Sequence, residues 1–166
     1  DSTVRMLDSL AVQERNPDAI LVVDASTDTR TDAAVQTWQQ HDPARQTLRY
    51  WHVGEAHRGL TRQRNFALDH VTTDFVAFFD DDVVLAPNCL SELERVFRED
   101  ETVVGVGCFA GPETTRPRAL WRLRRHLGMI SSLDAGKYHR WGMSTPWDFD
   151  TGQQPVVEGD WIPGWG

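Results

Sequence analysis

Three adjacent carboxylates, Asp80, Asp81 and Asp82, interrupt an otherwise apolar stretch, FVAFFDDDVVL over 75–85. Aspartate is a poor strand former. If strand geometry continued through the triplet, Asp80 and Asp82 would point to one side, about 6.6 Å apart along the chain. At an effective dielectric of ~20, two charges at that separation repel by roughly 2.5 kcal/mol. A divalent cation reverses the sign. Oxygen donors in a partly open site suit Mg2+ or Mn2+, which bridge one or two carboxylates to a phosphate. The alternative is a solvated loop between a strand and a helix. It accounts for acids after a strand, but not for three of them abutting its apolar end.

Two further residues are candidates for the same chemistry. Asp24 closes the apolar run of ILVVDASTD (20–28) as Asp80 closes its own. Ligands of open α/β sheets bind beyond the C-terminal ends of the strands, so two such acids on neighbouring strands would face one crevice. Ser26, Thr27 and Asp28 read as turn and cap residues. Asp24 comes too early to cap the helix that follows, and both a turn role and a ligand hydrogen bond are open to it. Arg64, in GLTRQRNFALDHV (59–71), falls on a helical stripe with Leu60, Ala67, Leu68 and Val71. An arginine on a buried face needs an anionic or carbonyl partner. An internal ion pair with one of the aspartates and a contact to a ligand both meet that need.

The elements that must hold these side chains follow from periodicity and breakers. The pattern predicts helices over 3–15, 31–41, 60–71, 87–97 and 118–127. It predicts strands over 19–23, 47–53, 74–79 and 102–109. Asn16-Pro17-Asp18 and Asp42-Pro43 punctuate the chain, 54–59 reads as a loop, and Pro87 opens its helix, where its missing N–H costs nothing. Alternating helices and short apolar strands predict an α/β fold with a mostly parallel sheet flanked by helices. Residues 1–110 form that region. Residues 111–166, richer in Pro, Gly and Trp, form a second, less regular part of the same domain.

Bulk properties narrow the function. The chain's 166 residues suit one domain, and a net charge of −8 argues against nucleic-acid binding. No apolar run approaches a membrane span, and no signal peptide opens the sequence. Cys89 and Cys108 are too few for a zinc site or a disulfide framework, which fits reduced thiols and a cytoplasmic location.

Taken together, LDSLAVQ (7–13), ILVVDASTD (20–28), GLTRQRNFALDHVTTDFVAFFDDDVVLAPNCL (59–90) and VVEGDWIPG (156–164) resemble the family 2 glycosyltransferases, in order and at the expected separations. The third stretch is the most specific: an Arg-Asn pair, an apolar run, an Asp-x-Asp and a Pro opening the next helix. The resemblance implies a GT-A, Rossmann-like fold and an inverting transfer of a sugar from a nucleoside-diphosphate sugar to an acceptor hydroxyl. It implies that Asp24 hydrogen-bonds the base or ribose and that Arg64 lies against the nucleotide. Asp80-x-Asp82 would be the motif for Mn2+ or Mg2+, with Asp82 the direct ligand in the catalytic centre and Asp80 or Asp81 near the ribose. The cation would stabilise charge on the departing diphosphate. The acceptor would be a carbohydrate or lipid-linked, as in cell-envelope polysaccharide synthesis.

Against that pattern the chain begins inside the first helix and stops at Gly166, so a fragment lacking the opening strand is expected. The base, a carboxylate taking the acceptor proton, would then be Asp160 or an acid beyond Gly166. Asp160 is open equally to a structural or acceptor-contact role. A non-catalytic sugar-nucleotide-binding fragment is the second reading. A haloacid dehalogenase-type phosphatase is the third, since FFDDDVV fits its strand and Asp-x-Asp-x-Val. That family also needs a later lysine followed by an acidic pair, whereas Lys137 is the one lysine and no such pair follows it.

The last third carries two more signals. Trp121, Trp141, Trp147, Trp161 and Trp165 could stack on sugar rings or bury a small core. Residues 116–128, RPRALWRLRRHLG, hold five arginines and no acid, with Leu120, Leu123 and Leu127 at helical spacing. Such a helix suits peripheral contact with the inner face of an anionic membrane, or a solvated basic face.

Overall fold

The computed structural model describes residues 2–41, 47–108, 119–134, 136–139 and 144. They fall in two units, Asp1–Glu101 and Thr102–Gly166. The first unit is built on a βαβ element. Strands β1 (Ile20–Asp24) and β2 (Leu48–His52) pair in parallel, Ile20 opposite Leu48 and Asp24 opposite His52, and helix α2 (Arg30–Gln40) lies between them in the chain. Parallel strands cannot be joined by a tight turn, and the intervening helix supplies the crossover.

Apolar residues three apart place the core. Leu7 and Leu10 of α1 (Ser2–Ala11), Val35 and Trp38 of α2, and Leu48 of β2 form the buried cluster, with Val4, Ile20, Val22, Tyr50, Leu85 and Leu90 packed against it. The Trp38 indole N–H donates to Asp8 Oδ1 at 2.9 Å, so the largest core side chain leaves no polar atom stranded.

α1 ends at Ala11, four residues before the expected boundary, because the chain turns there to use Gln13. That side chain is buried and donates to the Ser9 and Ala86 carbonyls at 3.0 and 2.7 Å, while its Oε1 accepts the Leu90 N–H at 3.0 Å. Ser9 Oγ accepts the Leu85 N–H at 3.1 Å, and the Glu14 N–H reaches the Pro87 carbonyl at 2.8 Å. The stretch after the aspartate triplet is thus held by side chains of α1 and the turn that follows it. Helix α4 (Cys89–Glu99) begins two residues after Pro87, which lies in the turn closed by the Cys89 N–H on the Ala86 carbonyl.

Helix α3 (Leu60–Leu68) starts after a 3-10 turn at Glu55–His57. Gly59 enters it at φ +112°, a conformation that side-chain-bearing residues avoid. The packing face differs from the expected stripe. Leu60 and Leu68 are exposed, and the helix meets its surroundings through Gln63 and Phe66. Phe66 packs edge-on to Trp51 of β2, with His57 and His70 against the same ring. The physical reason is size and polarity at the contact. An aromatic ring and an amide that bonds the strand's carbonyl outweigh the periodicity of small aliphatic residues.

Two expected strands are absent among the described residues. The segment 74–79 joins no sheet, and Phe75 and Val76 are exposed, although Phe75 stacks on Phe97 of α4 at 5.0 Å. Residues 102–108 form no ladder, and Val104 is fully exposed. An apolar run becomes a strand only where a neighbour supplies N–H and C=O groups in register. The sheet here is two-stranded, and neither run pairs with it.

The second unit, described by itself, contains helix α5 (Ala119–His126) and an isolated antiparallel bridge between Tyr138 and Ser144. Past α5 the Gly128 N–H bonds the Arg125 carbonyl and the Met129 N–H the Arg124 carbonyl, with Gly128 at φ +68°. That double bond over a left-handed glycine is a Schellman stop. Ile130 and His139 are buried, and His139 Nδ1 accepts from the Ser131 N–H at 3.2 Å. Trp141, Trp147, Trp161 and Trp165 lie outside the described residues. Cys89 and Cys108 are half-buried thiols. No helix among the described residues is long and apolar enough to cross a membrane.

Candidate functional site

Asp24 sits at the C-terminal end of β1 with its carboxylate held by three donors. Oδ1 accepts the Ser26 N–H at 2.7 Å; Oδ2 accepts the Ser26 hydroxyl at 2.9 Å and the Tyr50 hydroxyl at 2.8 Å. Burial pushes the Asp24 pKa up. The Ser26 N–H and the Tyr50 and Ser26 hydroxyls outweigh it and hold the group below the ordinary aspartate value. Burial and the bond to this carboxylate in turn hold the Tyr50 phenol far above its usual pKa. A carboxylate offers about four acceptor positions, two per oxygen. Oδ2 is filled and Oδ1 has one used.

The strand end and the loop that follows it are pinned from three sides. His52 Nε2 lies 2.9 Å from the Ser26 carbonyl, Arg58 Nε donates to the Ala25 carbonyl at 3.2 Å, and Gln63 Nε2 donates to the Val23 carbonyl at 2.9 Å. Asp28 has the local role expected of it. It accepts the Arg30 N–H at 3.0 Å and pairs with the Arg30 guanidinium at the start of α2.

The aspartate triplet is differently built. The Val83 N–H reaches the Asp80 carbonyl at 3.4 Å, so 80–83 is a turn and not a continuing strand, and the one-sided alternation of Asp80 and Asp82 is not formed. The reason is again the missing ladder, without which consecutive like charges fan apart. Asp80 Oδ1 lies 3.5 Å from Arg64 Nη2, and the Arg64 guanidinium sits 5.4 Å over the Phe78 ring. Asp81 Oδ2 accepts the Thr3 hydroxyl of α1 at 3.4 Å. Asp82 is exposed and makes no hydrogen bond or ion pair among the described residues.

Arg64 therefore takes the internal ion pair that its position allowed. Its side chain and that of Asp80 are 31% and 40% exposed, and a pair so wet contributes about 0–1 kcal/mol, so a competing anion can displace it cheaply. Adjacent residues of α3, Gln63 and Arg64, tie the end of β1 and the start of the triplet to one helix. Asp160 lies outside the described residues.

Among the described residues no three His, Cys, Asp or Glu side chains converge as a metal cage. Mg2+ needs only one or two carboxylates when phosphate oxygens complete its shell. The open carboxylate of Asp82 and the wet one of Asp80 are hard donors of that kind.

Tyr50 is the site residue that periodicity alone did not single out. The signal was present in the pairing: Tyr50 stands opposite Val22, and Asp24 is two residues further along the same face.

A βαβ element whose first strand ends in a built-in carboxylate, with an Asp-x-Asp after a later apolar run, is consistent with an α/β domain of the GT-A type. The family model described as glycosyl transferase family 2 matches residues 1–149, and the chain belongs to that family. The match contains Asp24, Arg64 and Asp80 to Asp82; VVEGDWIPG and Asp160 lie past it. No match was found among curated proteins or among solved structures. Family membership supports glycosyl transfer, from a nucleotide-sugar donor to an acceptor in general terms, and turns the FFDDDVV likeness to a phosphatase into a coincidence of motif.

Proposed function

We propose that the chain binds a nucleoside-diphosphate sugar in residues 1–110 and passes the sugar, with inversion, to a hydroxyl of a carbohydrate or lipid-linked acceptor engaged by 111–166. Asp24 receives a hydrogen bond from the base or ribose, Arg64 lies against the nucleotide, and Asp80 or Asp81 contacts the ribose. Asp80 and Asp82 hold Mg2+ or Mn2+. When bound, the cation supplies Lewis-acid stabilisation of the departing diphosphate. The base is Asp160 or another carboxylate on the acceptor side. A cytoplasmic setting, in the assembly of cell-envelope polysaccharide, accords with the thiol state of Cys89 and Cys108.

The observation that carries this reading is the state of Asp24. It is ionised, fixed by three donors and left with an acceptor position on Oδ1 at a strand's C-terminal end. A carboxylate so placed is preorganised to accept a donor from a ligand. Arg64 supports it, since its pair with Asp80 is exposed enough to be exchanged for an anionic ligand.

Calorimetric titration of the chain with UDP, GDP and dTDP, each with Mg2+, with Mn2+ and with chelator, tests the proposal. One nucleotide should bind with metal and lose at least about tenfold in affinity with chelator. Absence of binding for all three would refute it. Metal-dependent binding without sugar transfer to any acceptor would favour the non-catalytic binding module.

A further inference from the structure

Helix α5 presents two faces of opposite character to solvent. Leu120, Leu123 and Leu127 recur at i, i+3 and i+7 and are 54%, 51% and 62% exposed. The turn that places Leu127 under Leu123 is real, because the Leu127 N–H bonds the Leu123 carbonyl at 2.9 Å. Around the rest of the helix stand Arg122, Arg124, Arg125 and His126, with no acid between 119 and 128. None of these arginines forms an ion pair with a carboxylate among the described residues. The Arg124 guanidinium covers the Trp121 ring at 4.8 Å.

Exposed leucines over two turns are expensive in water, and arginines without a carboxylate partner beside them attract anions. The chain as a whole carries −8, so the rest of it is more acidic still and is repelled by an anionic surface. On α5 positive charge with no acid among it stands beside an exposed apolar edge. A tryptophan with an arginine beside it belongs at the boundary between lipid and water.

We infer that α5 is a membrane-surface element, lying in the headgroup layer of an anionic phospholipid bilayer with Leu120, Leu123 and Leu127 toward the acyl chains and Arg122, Arg124 and Arg125 on lipid phosphates. The occupant is fixed by charge complementarity and by the need for both faces at once. A nucleic acid would use the arginines and leave the leucines in water; a second copy of this acidic chain would use the leucines and leave the arginines facing one another. The inference is independent of which nucleotide, metal or acceptor the first unit takes.

Flotation of the full chain with vesicles tests it, using pure phosphatidylcholine against an equal mixture of phosphatidylcholine and phosphatidylglycerol. Partition onto the anionic vesicles should be about tenfold stronger and should weaken as salt rises. Leu123→Glu, and separately the double change Arg122→Glu with Arg125→Glu, should each lower it about tenfold. Leu123→Ala, which keeps a good helix former, should lower it by a smaller factor, and far-UV circular dichroism should show all three variants folded. Equal binding to both vesicle types, or undiminished binding by Leu123→Glu, would overturn the inference. So would retention on duplex RNA that ignores Leu123, or a dimer in sedimentation that Leu123→Glu dissolves while vesicle binding persists.

Discussion

Asp24 and the Asp80–Asp82 triplet both end apolar runs of the first unit, yet they are built on opposite terms. Asp24 has its charge met inside the protein by Ser26 and Tyr50, its loop is pinned by His52 and Arg58, and its strand by Gln63. The triplet has its charge met thinly. Asp80 leans on a half-buried arginine, Asp81 makes one long contact to Thr3, and Asp82 faces solvent. The first is a preorganised acceptor. The second is a concentration of negative charge that the described residues meet only in part. That difference follows from the sheet: Asp24 lies on a strand with a partner, and the triplet follows a run with none among the described residues.

The sharpest way to separate the two regions is to loosen one and watch the other. Gln13→Leu removes three hydrogen bonds, takes one of two donors from the Ala86 carbonyl and strands the Leu90 N–H behind the triplet. It should lower stability by about 3 kcal/mol in urea denaturation, while the Tyr50 environment, read by its ring resonances, stays unchanged in the folded protein. A simultaneous shift of Tyr50 would show that the two regions are one mechanical unit.

Tyr50→Phe acts on the other side. It removes one donor from Asp24 and should cost about 1 kcal/mol at neutral pH. The folded pKa of Asp24 lies below its unfolded value, so its contribution is present above the unfolded pKa and is lost as pH falls through the folded one. In Tyr50→Phe the carboxyl should titrate at higher pH, seen by NMR, and the fall in stability below about pH 4 should flatten. An unmoved Asp24 titration would mean that Ser26 and His52 set its charge without Tyr50.

Arg64→Met should have the smallest effect on the fold, under about 1 kcal/mol, because its pair with Asp80 is wet. A loss as large as that of Gln13→Leu would contradict the idea that this pair is exchangeable for a ligand.

Much of this was legible in the sequence, for reasons tied to particular residues. β1, β2 and the five helices follow from apolar runs and from breakers such as Asn16-Pro17 and Asp42-Pro43, because burial and backbone chemistry there act locally. The runs at 74–79 and 102–108 were just as apolar, but pairing depends on a neighbour that a run's own residues do not contain. The α3 stripe misled because Phe66 and Gln63 contact β2 and β1 more strongly than leucine spacing suggests. Of the candidate site, Arg64's ion pair was among the foreseen partners. The role of Tyr50 needed the parallel register, and that of Gln13 needed the fold of the segment it binds.

The central claim is that the triplet's charge is completed by a dication and a diphosphate. Calorimetry with Mn2+ and the nucleotide that binds best, on the unaltered chain and on Asp82→Asn, tests it most directly. The account predicts that Asp82→Asn, at unchanged stability, loses at least about tenfold in metal-dependent affinity and retains the weak metal-independent remainder. Equal metal-dependent affinity in both proteins would contradict it.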